Sequence, residues 1–189
     1  MSIYLLPGDI VFTQAPTLLG RLIRRFTRAE GEQKTETNHC GVITSGGYFL
    51  SKKVPSAWIV EALTKVKYHS LRKAYIGSKN KIMIYRPINL TYNMKLIIQQ
   101  QAERYIGKSY GYFKIVLHFF DWIIGNRQFF RRLMVLDKYP ICSYLVAKSF
   151  SAIGADFGIK AKFASPDDIL DFCQRNEDKY KKIWGWEIL

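Results

Sequence analysis

Residues 39–44, HCGVIT, open the part of the chain whose pattern decides the fold. They begin a series of strand-like segments that continues with YFLSKK at 48–53, AWIVEAL at 57–63, KVKYHSL at 65–71 and KIMIYR at 81–86. Gly46-Gly47, Pro55-Ser56 and Gly77-Ser78 supply the breaks between them. Upstream, Pro7-Gly8-Asp9 reads as a turn into a short strand from Ile10 to Thr13. A helix then fits Thr17 to Thr27, with Leu18, Leu19, Leu22, Ile23 and Phe26 on one stripe and arginines opposite. Glu30 to Thr37 is a polar loop.

Downstream the period becomes helical. Met94, Ile97, Ile98 and Tyr105 recur at helix spacing before Gly107, and Tyr112 to Ile124 and Gln128 to Leu136 read as bulky, partly basic helices. Cys142 to Ile153 is amphipathic and stops at Gly154. Ser165-Pro166-Asp167-Asp168 is a helix start, with serine as cap, proline at the first position and acids over the positive end. The tail from Tyr180 to Leu189 reads as an edge strand with Trp184, Trp186 and Ile188 on one face. Without repeats or a low-complexity linker, residues 1–189 make one α+β domain.

The formal charge of +14 favours anionic partners, a membrane surface or a nucleic acid among them. The bases are scattered from Arg21 to Lys182, the pattern of a solvated surface, which argues against a dedicated nucleic-acid reader. Three distant cysteines, Cys40, Cys142 and Cys173, form neither a disulfide framework nor a CxxC zinc pair. No metal or cofactor is expected, and reduced thiols suit a cytoplasmic protein. The start MSIYLLPGDIVF lacks the basic region of a signal peptide, and the apolar run 113–125 is too short to cross a bilayer.

Cys142 stands at the head of its amphipathic run. A helix N-terminus favours a thiolate by about 0.3–1 kcal/mol, which shifts a thiol by roughly one pKa unit or less, so a strong nucleophile also needs an imidazolium. Cys142 equally shares a stripe with Leu145, Val146 and Phe150 and can be read as a small core hydrophobe. His39 shares a strand face with Gly41 and Ile43, where glycine leaves room for a close approach, while Cys40 faces the other way. His39 can be a base for the thiol or a satisfied strand histidine; His69 and His118 are read as structural. Glu61 interrupts the apolar WIVEAL, either to accept an imidazole N–H or because it faces water. The tyrosines of 105–112, Tyr110 among them, either line a pocket or pack. Backbone N–H groups of Cys142 and Ser143 are the natural oxyanion donors, because a helix start leaves such groups without intrahelical partners.

Five motifs in order, PGDIVF, NHCGVI, IVEAL, YIGKSYGY and ICSYLVAKSF, resemble the permuted papain-like hydrolases of the YiiX type, relatives of the NlpC-type amidases and of lecithin:retinol acyltransferase. The resemblance runs from Pro7 to about Asp168 and implies an antiparallel sheet packed against helices, with the nucleophile at a helix N-terminus. It implies Cys142 as nucleophile, His39 as general base and Glu61 as the residue orienting His39; beside them, Tyr110, Ser143 and Asn38 are the residues expected about the substrate. Asn38 stands where the family pattern has a small hydroxyl residue. The expected reaction is cleavage of a peptide or acyl amide through a thioester. Two other readings are open. One is a lipid acyl hydrolase or acyltransferase at a membrane, drawing on Phe119, Phe120, Trp122, Phe129 and Phe130 beside Arg131 and Arg132. The other is a basic, non-catalytic binding protein.

Overall fold

The structure, a computed structural model, describes residues 3–17, 20, 21, 24, 35–51, 54–109 and 141–188. Six strands, β2 (Ile10–Gln14), β3 (His39–Ser45), β5 (Trp58–Ala62), β6 (Val66–Ser70), β7 (Lys81–Pro87) and β8 (Tyr180–Ile188), form a sheet in the order β6-β5-β3-β2-β7-β8. Every neighbouring pair is antiparallel. A separate two-stranded ribbon joins β1 (Tyr4–Leu5) to β4 (Gly47–Tyr48). The helices are α1 (Leu71–Tyr75), α2 (Tyr92–Glu103), α3 (Cys142–Ser151) and α4 (Pro166–Arg175).

Both faces of the sheet are covered, which explains why its strands are so apolar. Successive side chains alternate faces. Ile10, Phe12, Cys40, Val42, Val60 and Met83 therefore meet Ile98 of α2, Leu145, Val146 and Phe150 of α3, and Ile169 and Leu170 of α4. Val11, Ile43, Ile59, Ile82 and Ile84 meet Leu71 and Tyr75 of α1, together with Leu5 and Phe49. Burying each such aliphatic or aromatic side chain stabilises the fold by about 1.5–3 kcal/mol. Among the described residues, no helix is long and apolar enough to cross a membrane.

The Ser165 cap expected from sequence forms in full: Ser165 Oγ accepts from Asp168 N at 3.1 Å, and Ser165 N donates to the Asp168 carboxylate at 2.8 Å. Gly154 follows α3 at φ 74°, a left-handed conformation that favours glycine. Two expectations change. Of YFLSKK, the described residues 48–51 supply only the end of the short ribbon strand at Tyr48, because the chain bends at once into the packing of Phe49. Trp184 and Trp186 fall on opposite faces, Trp184 with Phe49 and Trp186 with the helices. The β7–β8 register slips on either side of Ile84, and such bulges break strict alternation. The helices expected at 112–124 and 128–136, and most of that at 17–27, lie outside the described residues.

Candidate active site

The site begins with a pairing. Gly41 of β3 lies opposite Glu61 of β5, so Glu61 and His39 occupy one face of the sheet on adjacent strands. A Cβ on Gly41 would come within 2.8 Å of Ile59 and 2.9 Å of Glu61. The glycine thus makes room for the Ile59 side chain and the base of the Glu61 side chain on the neighbouring strand β5. Glu61 crosses that gap, and His39 Nε2–H donates to its Oε2 at 2.6 Å. The Glu61 side chain is 1% exposed and that of His39 14%. A buried carboxylate without donors would cost several kcal/mol. Here His69 Nε2–H donates to Oε1 at 2.6 Å and the Tyr75 hydroxyl donates to Oε2, so both oxygens are satisfied.

Cys142 is the first residue of α3, which packs on β3. Its sulfur is hydrogen-bonded to the His39 ring, the Cys40 thiol and the Cys40 backbone. With His39 Nε2 engaged by Glu61, Nδ1 is the ring atom left to exchange a proton with the sulfur. Cys40 is therefore part of this constellation, contrary to the expectation that it points away from it. Strand alternation does separate Cys40 from His39, but Cys142 sits at the strand's beginning, within reach of both.

The electrostatics point one way. The Cys40 thiol donates to the Cys142 sulfur, and this bond outweighs burial and combines with the His39 charge to hold the Cys142 thiol well below its usual range. Burial alone would lower the His39 pKa, but the Cys142 charge and hydrogen bond, with those of Glu61, raise it to about 10. Burial alone would raise Glu61, and the His39, His69 and Tyr75 hydrogen bonds bring it to about 2. Cys40 and Cys173 are pushed up by burial and stay protonated. These shifts all favour a thiolate–imidazolium pair over a thiol beside a neutral imidazole. The α3 start favours the thiolate further: among the described residues no side chain caps it, and no acid lies in its first turn.

Ser143 is fully buried, and among the described residues its hydroxyl has no hydrogen-bond partner. The Asn38 side chain bonds both the N–H and the carbonyl of Ala15, at 3.1 and 2.9 Å, so it staples the end of β2 to the start of β3. Tyr110 lies outside the described residues. Sequence reasoning missed His69 and Tyr75. The β5–β6 hairpin carried a signal for the first: in its register His69 pairs with Ile59, two residues from Glu61.

A family model, that of the permuted papain-like amidase enzyme, YaeF/YiiX, matches residues 4–123. That span holds His39, Glu61, His69 and Tyr75 and stops before Cys142. A crystal structure described as the metalloprotein yiiX from Escherichia coli is similar in fold, with a TM-score of 0.55 and 24% sequence identity, covering 81% of this chain and 69% of that one. No curated protein matches the chain.

Proposed function

The chain belongs to the permuted papain-like amidase enzymes, YaeF/YiiX, and we propose that it cleaves amide bonds with Cys142 as nucleophile, His39 as general base and acid, and Glu61 as the residue that orients His39. The observation that carries this reading is the hydrogen bond between the Cys142 thiol and a histidine whose other ring nitrogen is held at 2.6 Å by a buried carboxylate. A purely structural cysteine needs neither.

The proposed steps use this arrangement. The Cys142 thiolate attacks the amide carbon, forming an S–C bond and moving negative charge to the carbonyl oxygen. First-turn N–H groups of α3 are suited to receive that oxyanion. As it collapses, the C–N bond breaks and the His39 imidazolium gives its proton to the departing amine, leaving a thioester. Neutral His39 then takes a proton from water, whose oxygen attacks the thioester carbon. The C–S bond breaks, the acid departs, and the Cys142 thiolate and His39 imidazolium are restored.

The similarity to a metalloprotein raises the question of a metal. Among the described residues, no group of three or more His, Cys, Asp or Glu side chains is arranged to hold one. His39 and His69 bond Glu61 directly at 2.6 Å, which leaves no space for an ion between them. These donors do not fit a metal, and the proposed steps use side chains alone. The aromatic and basic residues that suggested a lipid surface, 119–132, lie outside the described residues. A binding protein without catalysis would have no use for this thiol–imidazole–carboxylate arrangement.

The test is hydrolysis of a panel of peptide and acyl amides by the intact protein and by Cys142→Ala. Loss of at least about a thousandfold in rate is expected on removal of the nucleophile. Unchanged cleavage by the variant would refute the assignment.

A further inference from the structure

We propose that His69 is a positioning residue of this site, its ring fixing the rotation of the Glu61 carboxylate that in turn orients His39. This rests on the reading of Cys142, His39 and Glu61 as catalytic. The two carboxylate oxygens are not equivalent. Oε2 takes two donors, His39 Nε2 and the Tyr75 hydroxyl, whereas Oε1 takes His69 Nε2 at 2.6 Å. With the Glu61 side chain 1% exposed, water is poorly placed to substitute for a lost donor.

Removing His69 leaves Oε1 a buried acceptor without its donor. The carboxylate then gains by turning about Cγ–Cδ to hand Oε1 to Tyr75 or His39, and the short bond to His39 Nε2 lengthens. The fold delivers the support as one local unit. Strand β6 ends in His69-Ser70, Ser70 caps α1, and α1 ends in Tyr75, so the residues that grip the carboxylate from behind are six positions apart. His39 comes from β3, on the other side of β5.

The titratable groups bonded to Glu61 are His39 from β3, His69 from β6 and Tyr75 from α1; Cys40 of β3 and Cys142 of α3, across the sheet, act on Glu61 and Tyr75 through their charge alone. Thr13 of β2 bonds the Tyr75 hydroxyl. Lys67 lies opposite Glu61 in the strand register but is exposed. Loss of the His69 donor makes Glu61 easier to protonate and weakens its hold on the His39 imidazolium, so His39 titrates lower.

The experiment follows the His39 ring by NMR against pH in the full-length protein, His69→Leu and His69→Gln, with iodoacetamide alkylation of Cys142 in parallel. His69→Leu should lower the His39 titration by about one pH unit, the scale of a lost hydrogen bond to a charged group. His69→Gln, which keeps an N–H donor, should recover part of that shift. The ring is 27% exposed on its side chain, so small replacements fit, and His69→Ala serves if leucine prevents folding. A folded His69→Leu or His69→Ala with an unmoved His39 titration overturns the proposal. The underlying reading fails separately, if Cys142 of the unmodified protein alkylates as an ordinary thiol.

Discussion

Helices α3 and α4 are both ten residues long and begin in opposite ways. The start of α4 is closed upon itself: Ser165 and Asp168 cap one another's backbone, Pro166 fills the first position, and two acids face the positive end. The start of α3 has Ile141 at the cap position, no side-chain cap and no acid. It has Cys142 instead, hydrogen-bonded to His39 and Cys40. One helix start serves stability. The other forgoes a cap worth about 1 kcal/mol and turns its positive end toward a thiolate.

This contrast can be broken from either side. The largest effect after loss of Cys142 itself is expected from Glu61→Gln, which removes the charge behind His39. The rate should fall on the order of a hundredfold or more, with about 3 kcal/mol lost from urea unfolding because two imidazoles lose their anion. Unaltered activity in a folded Glu61→Gln protein would detach the carboxylate from the chemistry. Next comes Ile141→Asp, which gives the α3 start a capping side chain and a negative charge, the two features that α4 has in Ser165 and its first-turn acids. It should slow hydrolysis about tenfold by setting a negative charge beside the thiolate, with no net gain in stability because Ile141 packs against the core. Smallest is Ser165→Ala, expected to cost about 1 kcal/mol, or roughly 2–4 °C in Tm, without changing the rate. If Ser165→Ala slowed the reaction as much as Ile141→Asp, the two helix starts would not differ in the way described.

The parts legible in the sequence are those set by neighbours along the chain. The Ser165 cap, the glycine stop at Gly154 and the strands from Ile10 and His39 follow from spacing and turn chemistry within a few residues. Glu61 was legible as a problem, since a carboxylate in WIVEAL must find donors or water. Its solution was not, because His69 and Tyr75 reach it only once β5 and β6 pair and α1 folds back over the same face. Cys40 was misjudged for a related reason: alternation gives the face of a strand, not which helix start meets its end. The opposed faces of Trp184 and Trp186 depend on bulges that no local pattern announced.

The pH behaviour carries the central claim. Unfolded, the pair at neutral pH is a thiol with a neutral imidazole; folded, the same proton lies on His39. The pair therefore adds little slope to stability near neutrality. As pH falls below about 6.5, the unfolded imidazole takes up a proton while the folded pair, holding its thiolate, does not, so stability declines toward acid. Above the ordinary thiol range the unfolded pair has lost its proton while His39 keeps one up to about 10, so stability declines there too. Glu61 adds to the acid decline, its contribution being lost as pH falls toward about 2.

The most direct measurement is the iodoacetamide rate of each cysteine against pH, read by mass spectrometry on the native protein. Cys142 is expected to react already at mildly acid pH, far below any reaction of Cys40 or Cys173, and to lose that advantage in His39→Ala. A Cys142 whose rate rises only near pH 8.5, as an unperturbed thiol does, and is indifferent to His39, would contradict the thiolate–imidazolium pair.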